Sequence, residues 1–356
     1  MAKSSKNQNL HKAKDAKKDE FYTQISDIQR ELKHYKNHFK DKVVYCNCDD
    51  PYESYFFKHF AMSFNILGIK KLIATCYTGS PIANKELSLF DFETAENKTT
   101  KVPHKIIINE LTDENNDTAE DLQDIVISLA KNVNNTITRL NDDGDFRSKE
   151  CIDLLNQADI VVTNPPFSMF REYVSQLIEY DKKFLIIGNH NAISYKEIFG
   201  FIKDNKIWLG YMHPENFVVP DNYEQREFRS WRDENGVNWR SLGNACWFTN
   251  LDILKRHEDI ILYKQYAPEE YPKYDNYDAI NVSKVAEIPM DYNGAMGVPI
   301  TFMDKYNPEQ FEIVSANDIR INEQVPFKEH GLIKDKEGAI NGKPTYVRVV
   351  IKNKKI

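Results

Sequence analysis

The chain has 356 residues, 41% hydrophobic and 28% charged, with a formal net charge of −7. These proportions suit a soluble globular protein too long for one ordinary core, and the negative balance argues against a surface that binds nucleic acid indiscriminately. No apolar run reaches membrane-spanning length, no apolar stretch follows the lysine-rich start, and the five cysteines form no disulfide framework, so a cytoplasmic protein without signal peptide or membrane anchor is expected.

Residues 1–20 are polar, with six lysines against three acids, and are expected to form a flexible basic arm. From Phe21 to Phe39 apolar residues recur at helical spacing, with Ser26 or Asp27 as caps. Strands and helices then alternate. Residues 42–48 read as a strand, 53–67 as a helix stopped by Gly68, 70–77 as a strand, 105–111 as another, and 118–133 as a short helix. The strand DIVVT is followed by a helix from about Ser168 to Glu179, and 182–189, 206–211, 245–250 and 260–266 read as further strands. This alternation predicts an α/β fold whose sheet carries helices on both faces. The predicted organisation is an arm over 1–20, a main domain over 21–266, and a C-terminal α+β extension over 267–356 that is rich in Tyr, Pro and Asp and ends in a basic tail.

The most informative stretch is ADIVVTNPPF, residues 158–167. Ile160, Val161 and Val162 form a short buried strand. Two prolines then remove two backbone donors and stop it. Asn164, before a proline, is pushed to an extended conformation. A stiff tip at a strand end thus presents one amide, one carbonyl kept out of any sheet ladder, and one aromatic ring. An aromatic exocyclic amine, such as N6 of adenine, is a poor nucleophile because its lone pair is delocalised. The Asn164 oxygen and the Pro165 carbonyl can accept both amine hydrogens out of the ring plane and free that lone pair. Phe167 offers a face for the base. As four residues alone, NPPF is equally well a turn; its position after DIVV points to chemistry.

The matching stretches DEFYTQISDI (19–28), KVVYCNCDDPYES (42–54), GDFRS (144–148), DIVVTNPPF (159–167), FLIIGNHNAISY (184–195), GNACWFTN (243–250) and MGVPITFMDKYNPEQFEI (296–313) run across nearly the whole chain. Together they resemble the EcoRI-type adenine-specific DNA modification methylases. The resemblance implies a Rossmann-like methyltransferase sheet, S-adenosyl-L-methionine as methyl donor, and N6 methylation of an adenine flipped out of double-stranded DNA. It assigns catalysis to Asn164, Pro165, Pro166 and Phe167. It assigns the cofactor to Tyr22, Thr23, Asn47, Cys48, Asp49, Asp50, Asp145 and Phe146. The second face of the base pocket falls to Trp247 or Phe248, one of which is expected in the core because they alternate along a strand. The usual first motif is glycine-rich; here it is CNCDDP, a feature the EcoRI-type family shares. No metal site is implied, and Cys46 and Cys48 read as strand packing.

Residues 222–241 interleave Arg226, Arg229, Arg232 and Arg240 with Tyr223, Phe228, Trp231 and Trp239. Arginine holds phosphate or reads guanine, so this stretch is a candidate DNA contact, as are Lys12, Lys14, Lys17 and Lys18 on the arm. Glu224, Glu227, Asp233 and Glu234 in the same stretch fit a solvated helix–loop nearly as well. The implied partner is double-stranded DNA; the enzyme is either the partner of a restriction endonuclease acting on the same site or an orphan methylase, and modifying one strand per visit it can work as a monomer. The alternatives are a methyltransferase for RNA or protein amides, and a DNA-binding protein without activity.

Overall fold

The computed structural model describes residues 22–48, 54–75, 103–111, 132–219, 228–316 and 338–356. In chain order the elements are β1 (Tyr22–Thr23), α1 (Ile25–Leu32), β2 (Val43–Cys46), α2 (Tyr55–Met62), α3 (Phe64–Leu67), β3 (Lys71–Thr75), β4 (His104–Ile108) and β5 (Thr136–Arg139). There follow α4 (Lys149–Gln157), β6 (Ile160–Thr163), α5 (Phe170–Glu179), β7 (Lys183–Asn189), α6 (Lys196–Lys203), β8 (Trp208–Leu209), β9 (Asn216–Val218), β10 (Ser230–Arg232), β11 (Asn238–Ser241) and β12 (Ala245–Thr249). The last strands are β13 (Ile280–Asn281), β14 (Met296–Pro299), β15 (Phe311–Ala316), β16 (Ala339–Ile340), β17 (Lys343–Pro344) and β18 (Arg348–Asn353).

The chain divides into two compact units. One takes Met1–His190 and Met212–Leu251, the other Asn191–Tyr211 and Asp252–Ile356. In the first unit, strands lie side by side in the order β5-β4-β3-β2-β6-β7-β12. The centre is parallel: β2 with β3, β2 with β6, and β6 with β7. β4, β5 and β12 run antiparallel to their neighbours, so the sheet is mixed. The central strands are short apolar runs buried on both faces, as strands covered by helices must be.

Local chemistry sets the helix ends. Ser54 caps α2 by accepting from the amides of Phe56 and Phe57 at 3.1 and 3.3 Å, and Gly68 ends α3 in the left-handed conformation at φ 62°. Ser148 caps α4 through the Cys151 amide at 3.3 Å. α1 is shorter than its apolar pattern predicts. Its N-cap is Gln24, and Ser26 and Asp27 lie within the first turn rather than capping it.

Trp247 of β12 packs edge-on against Phe56 of α2, with ring centroids 5.7 Å apart, while its neighbour Phe248 packs against Phe170 of α5 at 4.9 Å. Adjacent strand residues point to opposite faces, so α2 and α5 cover opposite faces of the sheet. Gly188 is required on the α5 face: a Cβ there would stand 2.4 Å from the Phe170 ring.

A second sheet of the first unit orders its strands β1-β9-β11-β10, all antiparallel. It corrects the solvated helix–loop reading of 222–241, because residues from Ser230 to Ser241 form a hairpin. Asp233 closes the turn by accepting from the amides of Asn235 and Val237 and from Trp239 Nε1 at 2.9 to 3.0 Å.

The second unit contains the sheet β13-β14-β18-β15 and the hairpin β16–β17. Asn341 and Gly342, at φ 50° and 73°, make that hairpin's tight turn. The predicted strand over 260–266 is not formed; only an isolated bridge between Lys264 and Pro289 remains. At its first residue a side chain stands where a strand neighbour would. The amide of Gln310 bonds both sides of Ile260, accepting from its N–H at 2.7 Å and donating to its carbonyl at 2.8 Å. That satisfies the backbone as a strand neighbour would. The predicted strand over 206–211 shortens to β8. The predicted helix over 118–133 lies outside the described residues except for its last two positions. Among the described residues no helix is long and apolar enough to cross a membrane.

Candidate active site

The carboxyl ends of β2 and β6 lie side by side, and the polar residues there tie the two strands together. Thr163, the last residue of β6, donates its hydroxyl to the Asn47 carbonyl. Tyr173, on α5, donates its hydroxyl to Asn47 Oδ1. Asn47, Thr163 and Tyr173 are all buried, at 2%, 0% and 0% exposure, so each bond replaces water that is not there and each lost partner would be costly. Tyr173 also packs edge-on against Phe146, with centroids 5.0 Å apart. The end of β2, the GDFRS turn and the helix after NPPF are thereby locked into one corner.

Cys48 follows Asn47 with φ 62°. That is the left-handed conformation glycine adopts without cost and other residues adopt rarely. Asp49 and Asp50 lie outside the described residues.

Asp145 lies in the turn before α4. Its carboxylate accepts from the Arg147 amide at 2.9 Å and from the guanidinium Nε and Nη2 at 2.8 and 2.6 Å. Burial pushes this carboxyl up, but the hydrogen bonds and charge of Arg147 outweigh it and hold it below its ordinary value. Arg147 is raised in turn, first by Asp145, and also reaches Glu172 of α5 at 3.1 Å. The carboxylate therefore stays ionised. Phe146 beside it is buried, with the Arg147 guanidinium over its ring.

At the NPPF tip, Asn164 is half-buried and Pro165 buried. Pro166 and Phe167 begin a 3₁₀ turn closed by the Met169 amide donating to the Pro166 carbonyl at 3.0 Å, not to that of Pro165. Phe167 is half-buried. Asn164 Nδ2 donates to Thr23 Oγ1 at 3.4 Å. This brings Thr23 of β1 against Asn164 of the NPPF tip. Thr23 is 4% exposed, and the Tyr22 hydroxyl is buried as well.

Trp247 and Phe248 require a correction. The expectation placed one in the core and gave the other a face of the base pocket. Both are fully buried; helices on each side of β12 claim both rings, and neither has an open face.

The arginine-rich stretch forms an exposed hairpin. Ser230 pairs with Arg240, Trp231 with Trp239, and Arg232 with Asn238. The Trp231 and Trp239 rings are parallel within 5° at 6.1 Å. Arg229 and Arg232 are exposed and Arg240 half-buried. Arg232 donates to the Gly236 carbonyl at 2.7 Å. The register runs Thr23–Phe217–Arg240–Ser230 across the sheet, so Arg240 stands on the same face and row as the residue that meets Asn164. Lys12, Lys14, Lys17, Lys18 and Arg226 lie outside the described residues. Among the described residues no cluster of His, Cys, Asp or Glu is placed to hold a metal ion.

Sequence reasoning overlooked Arg147 and Tyr173. Arg147 stood inside a quoted motif, next to the acid it holds. Tyr173 carried no signal, since its role depends on which strand end its helix faces.

The model of the family described as adenine-specific methyltransferase EcoRI matches residues 9–354. The type II methyltransferase M.EcoRI of Escherichia coli is 49% identical over 362 residues, covering 100% of this chain and 99% of that protein. M.MgeORF184P of Mycoplasma genitalium is 37% identical, with 98% and 99% covered. M.MpnI of Mycoplasma pneumoniae is 36% identical, with 97% and 98% covered. No solved structure matches. With the match running over nearly the whole chain, the NPPF tip included, the protein belongs to the EcoRI-type adenine-specific methyltransferase family.

Proposed function

We propose that this adenine-specific methyltransferase modifies N6 of an adenine flipped out of a specific site in double-stranded DNA, using S-adenosylmethionine, with the parallel centre of its sheet arranged as in Rossmann-like methyltransferases. The observation that carries the reading is the meeting of Thr23 and Asn164 at the carboxyl edge of the parallel strands, where open α/β sheets bind ligands.

The residues at that edge fit the cofactor. The first motif lacks glycine, yet Cys48 takes the backbone conformation a glycine turn would take. Asn47 and Cys48, with Asp49 and Asp50, would hold the methionine part. The ionised Asp145 supplies an acceptor and Phe146 an apolar edge for the nucleoside. Tyr22 and Thr23 would close the site from β1. When bound, S-adenosylmethionine supplies an electrophilic methyl group on a sulfonium centre. The protein's part is then mainly positioning.

Asn164 and Pro165 perform that positioning. The donor half of the Asn164 amide is turned to Thr23, which fixes its acceptor half for the target amine. The Pro165 carbonyl is the second acceptor. Two acceptors out of the ring plane draw the nitrogen towards a pyramidal geometry and free its lone pair. Phe167 stacks on the base, an interaction worth about 1–3 kcal/mol. That offsets much of the few kcal/mol needed to extract the base from the duplex.

Arg229, Arg232 and Arg240, with the arm lysines Lys12, Lys14, Lys17 and Lys18, would contact the DNA backbone. The extension over 267–356 would add recognition surface to the domain over 21–266. A monomer suffices for one adenine per visit, and a restriction endonuclease of the same site is the fitting partner. The test is transfer of labelled methyl from S-adenosylmethionine to purified duplex DNA, with RNA and protein in parallel. Label in N6-methyladenine of DNA is expected; label only in RNA or protein would replace the substrate.

A further inference from the structure

We infer that Arg147 is a positioning residue for the cofactor: it fills all but one acceptor position of the Asp145 carboxylate and leaves that one for the exocyclic amine of the cofactor's adenine, not for its ribose. This rests on the functional reading above and names the part of the cofactor that the turn before α4 reads.

The turn is placed by its own contacts. Phe146 packs against Tyr173 of α5 at 5.0 Å, and Tyr173 reaches Asn47 at the carboxyl end of β2. The Phe146 carbonyl accepts from Gln176 Nε2 at 3.2 Å, a second tie to α5. The backbone of Asp145 is held without the side chain of Arg147. Its amide donates to Asp143 Oδ1 at 3.1 Å, and its carbonyl accepts from the Ser148 amide at 2.9 Å. Phe146 is 5% exposed, so the open part of the turn is made by the side chains of Asp145 and Arg147, 29% and 46% exposed.

The hydrogen bonds decide what the carboxylate can still accept. An ionised carboxylate has about four lone-pair positions. Oδ1 of Asp145 accepts from the Arg147 amide and from Nε, and Oδ2 accepts from Nη2. One position remains, on Oδ2. The other end of the guanidinium, Nη1, donates to both oxygens of Glu172 at 3.1 and 3.3 Å. The planar group is thus held at two ends and holds the carboxylate in turn. Pairs this exposed add little stability; what they supply is orientation.

The chemistry then selects the ligand group. A ribose diol presents two hydroxyls and suits a carboxylate with both oxygens open. A single charged acceptor suits one N–H. The exocyclic amine of adenine is such a donor, whereas a carbonyl at the same ring position is repelled by the charge. An ion pair that only braced the turn would be indifferent to that substituent.

Calorimetric titration of the full chain with S-adenosylhomocysteine and with S-inosylhomocysteine, which carries a carbonyl in place of the amine, reads this contact without turnover. The intact protein is expected to bind the adenosyl compound about tenfold to a hundredfold more tightly, the worth of one hydrogen bond to a charged group. Arg147→Met keeps the length of the side chain and frees the carboxylate to turn. The preference should shrink by about fivefold or more, with a melting temperature within a few degrees of the intact protein. Arg147→Lys, which keeps the charge but cannot hold both oxygens, should shrink it as well. The preference over the 2′-deoxyadenosyl compound should be the same in all three proteins; a change there would place the carboxylate at the ribose and overturn the inference. Equal weakening of the adenosyl and inosyl compounds would mean that Arg147 only braces the turn, and would overturn it too, as would an intact protein that binds both equally. Failure of the intact protein to bind any of the compounds would overturn the cofactor reading, and the inference with it.

Discussion

Asn164 and Thr23 lie 141 residues apart in the chain, yet Asn164 Nδ2 donates to Thr23 Oγ1 at 3.4 Å. The bond is long, so its worth is in orientation more than in energy. In the proposed mechanism it sets which half of the Asn164 amide faces the target amine. Thr23→Val keeps the side-chain shape and removes the acceptor. The expected result is a melting temperature close to that of the intact protein and kcat about fivefold lower, the equivalent of roughly 1 kcal/mol. Unchanged kcat would remove Thr23 from the positioning of Asn164.

The helix that follows the NPPF tip is seated by Phe170 against Gly188. Gly188→Ala would drive a methyl to 2.4 Å from the ring, and overpacking of this kind costs about 1–3 kcal/mol. Denaturant unfolding should show that loss, with methylation reduced in parallel because Phe167 and Phe170 belong to one turn. Equal stability would mean that the helix shifts freely.

The exposed hairpin yields a salt-dependence test. Arg229→Ala and Arg232→Ala should each weaken DNA binding similarly on site-containing and random duplexes, and reduce the slope of log K against log salt by about one. Losses confined to one sequence would make these residues base readers instead.

His257 gives the pH dependence. Its ring is hydrogen-bonded to Asp252 at 2.8 Å and to Glu309 at 3.2 Å, and these two carboxylates raise it above 6.5. A raised folded value stabilises the protein fully below the unfolded value, and the contribution is lost as pH rises through the folded one. The gap in melting temperature between the intact protein and His257→Gln should be wider at pH 6 than at pH 8.5. The group is exposed, so the gap is small at both. A gap that widens with pH would contradict the assignment.

Much of the site was legible because its parts are local. The apolar run Ile160–Val162, cut by two prolines, announces a strand end whatever surrounds it, and FYTQ and GDFRS could be placed by their order along the chain. The rest depended on distant partners. Nothing near Ile260 says that Gln310 takes the place of a neighbouring strand. β10 and β11 are short and polar, so only their pairing, with Trp231 stacked on Trp239, makes them strands. Trp247 and Phe248 point to opposite faces of β12, and only the helices covering both faces decide that both are buried. The left-handed φ of Cys48 shows the same limit in reverse, since the residue type does not announce it.

In the proposed mechanism Asn164 holds the amine of a flipped adenine for methylation. The measurement that tests it most directly is modification-sensitive single-molecule sequencing of DNA from cells expressing the intact chain, beside cells expressing Asn164→Ala at equal protein level. N6-methyladenine is expected at one short motif with the intact chain and none with the variant, whose melting temperature stays within a few degrees. The same modified motif in both would contradict it.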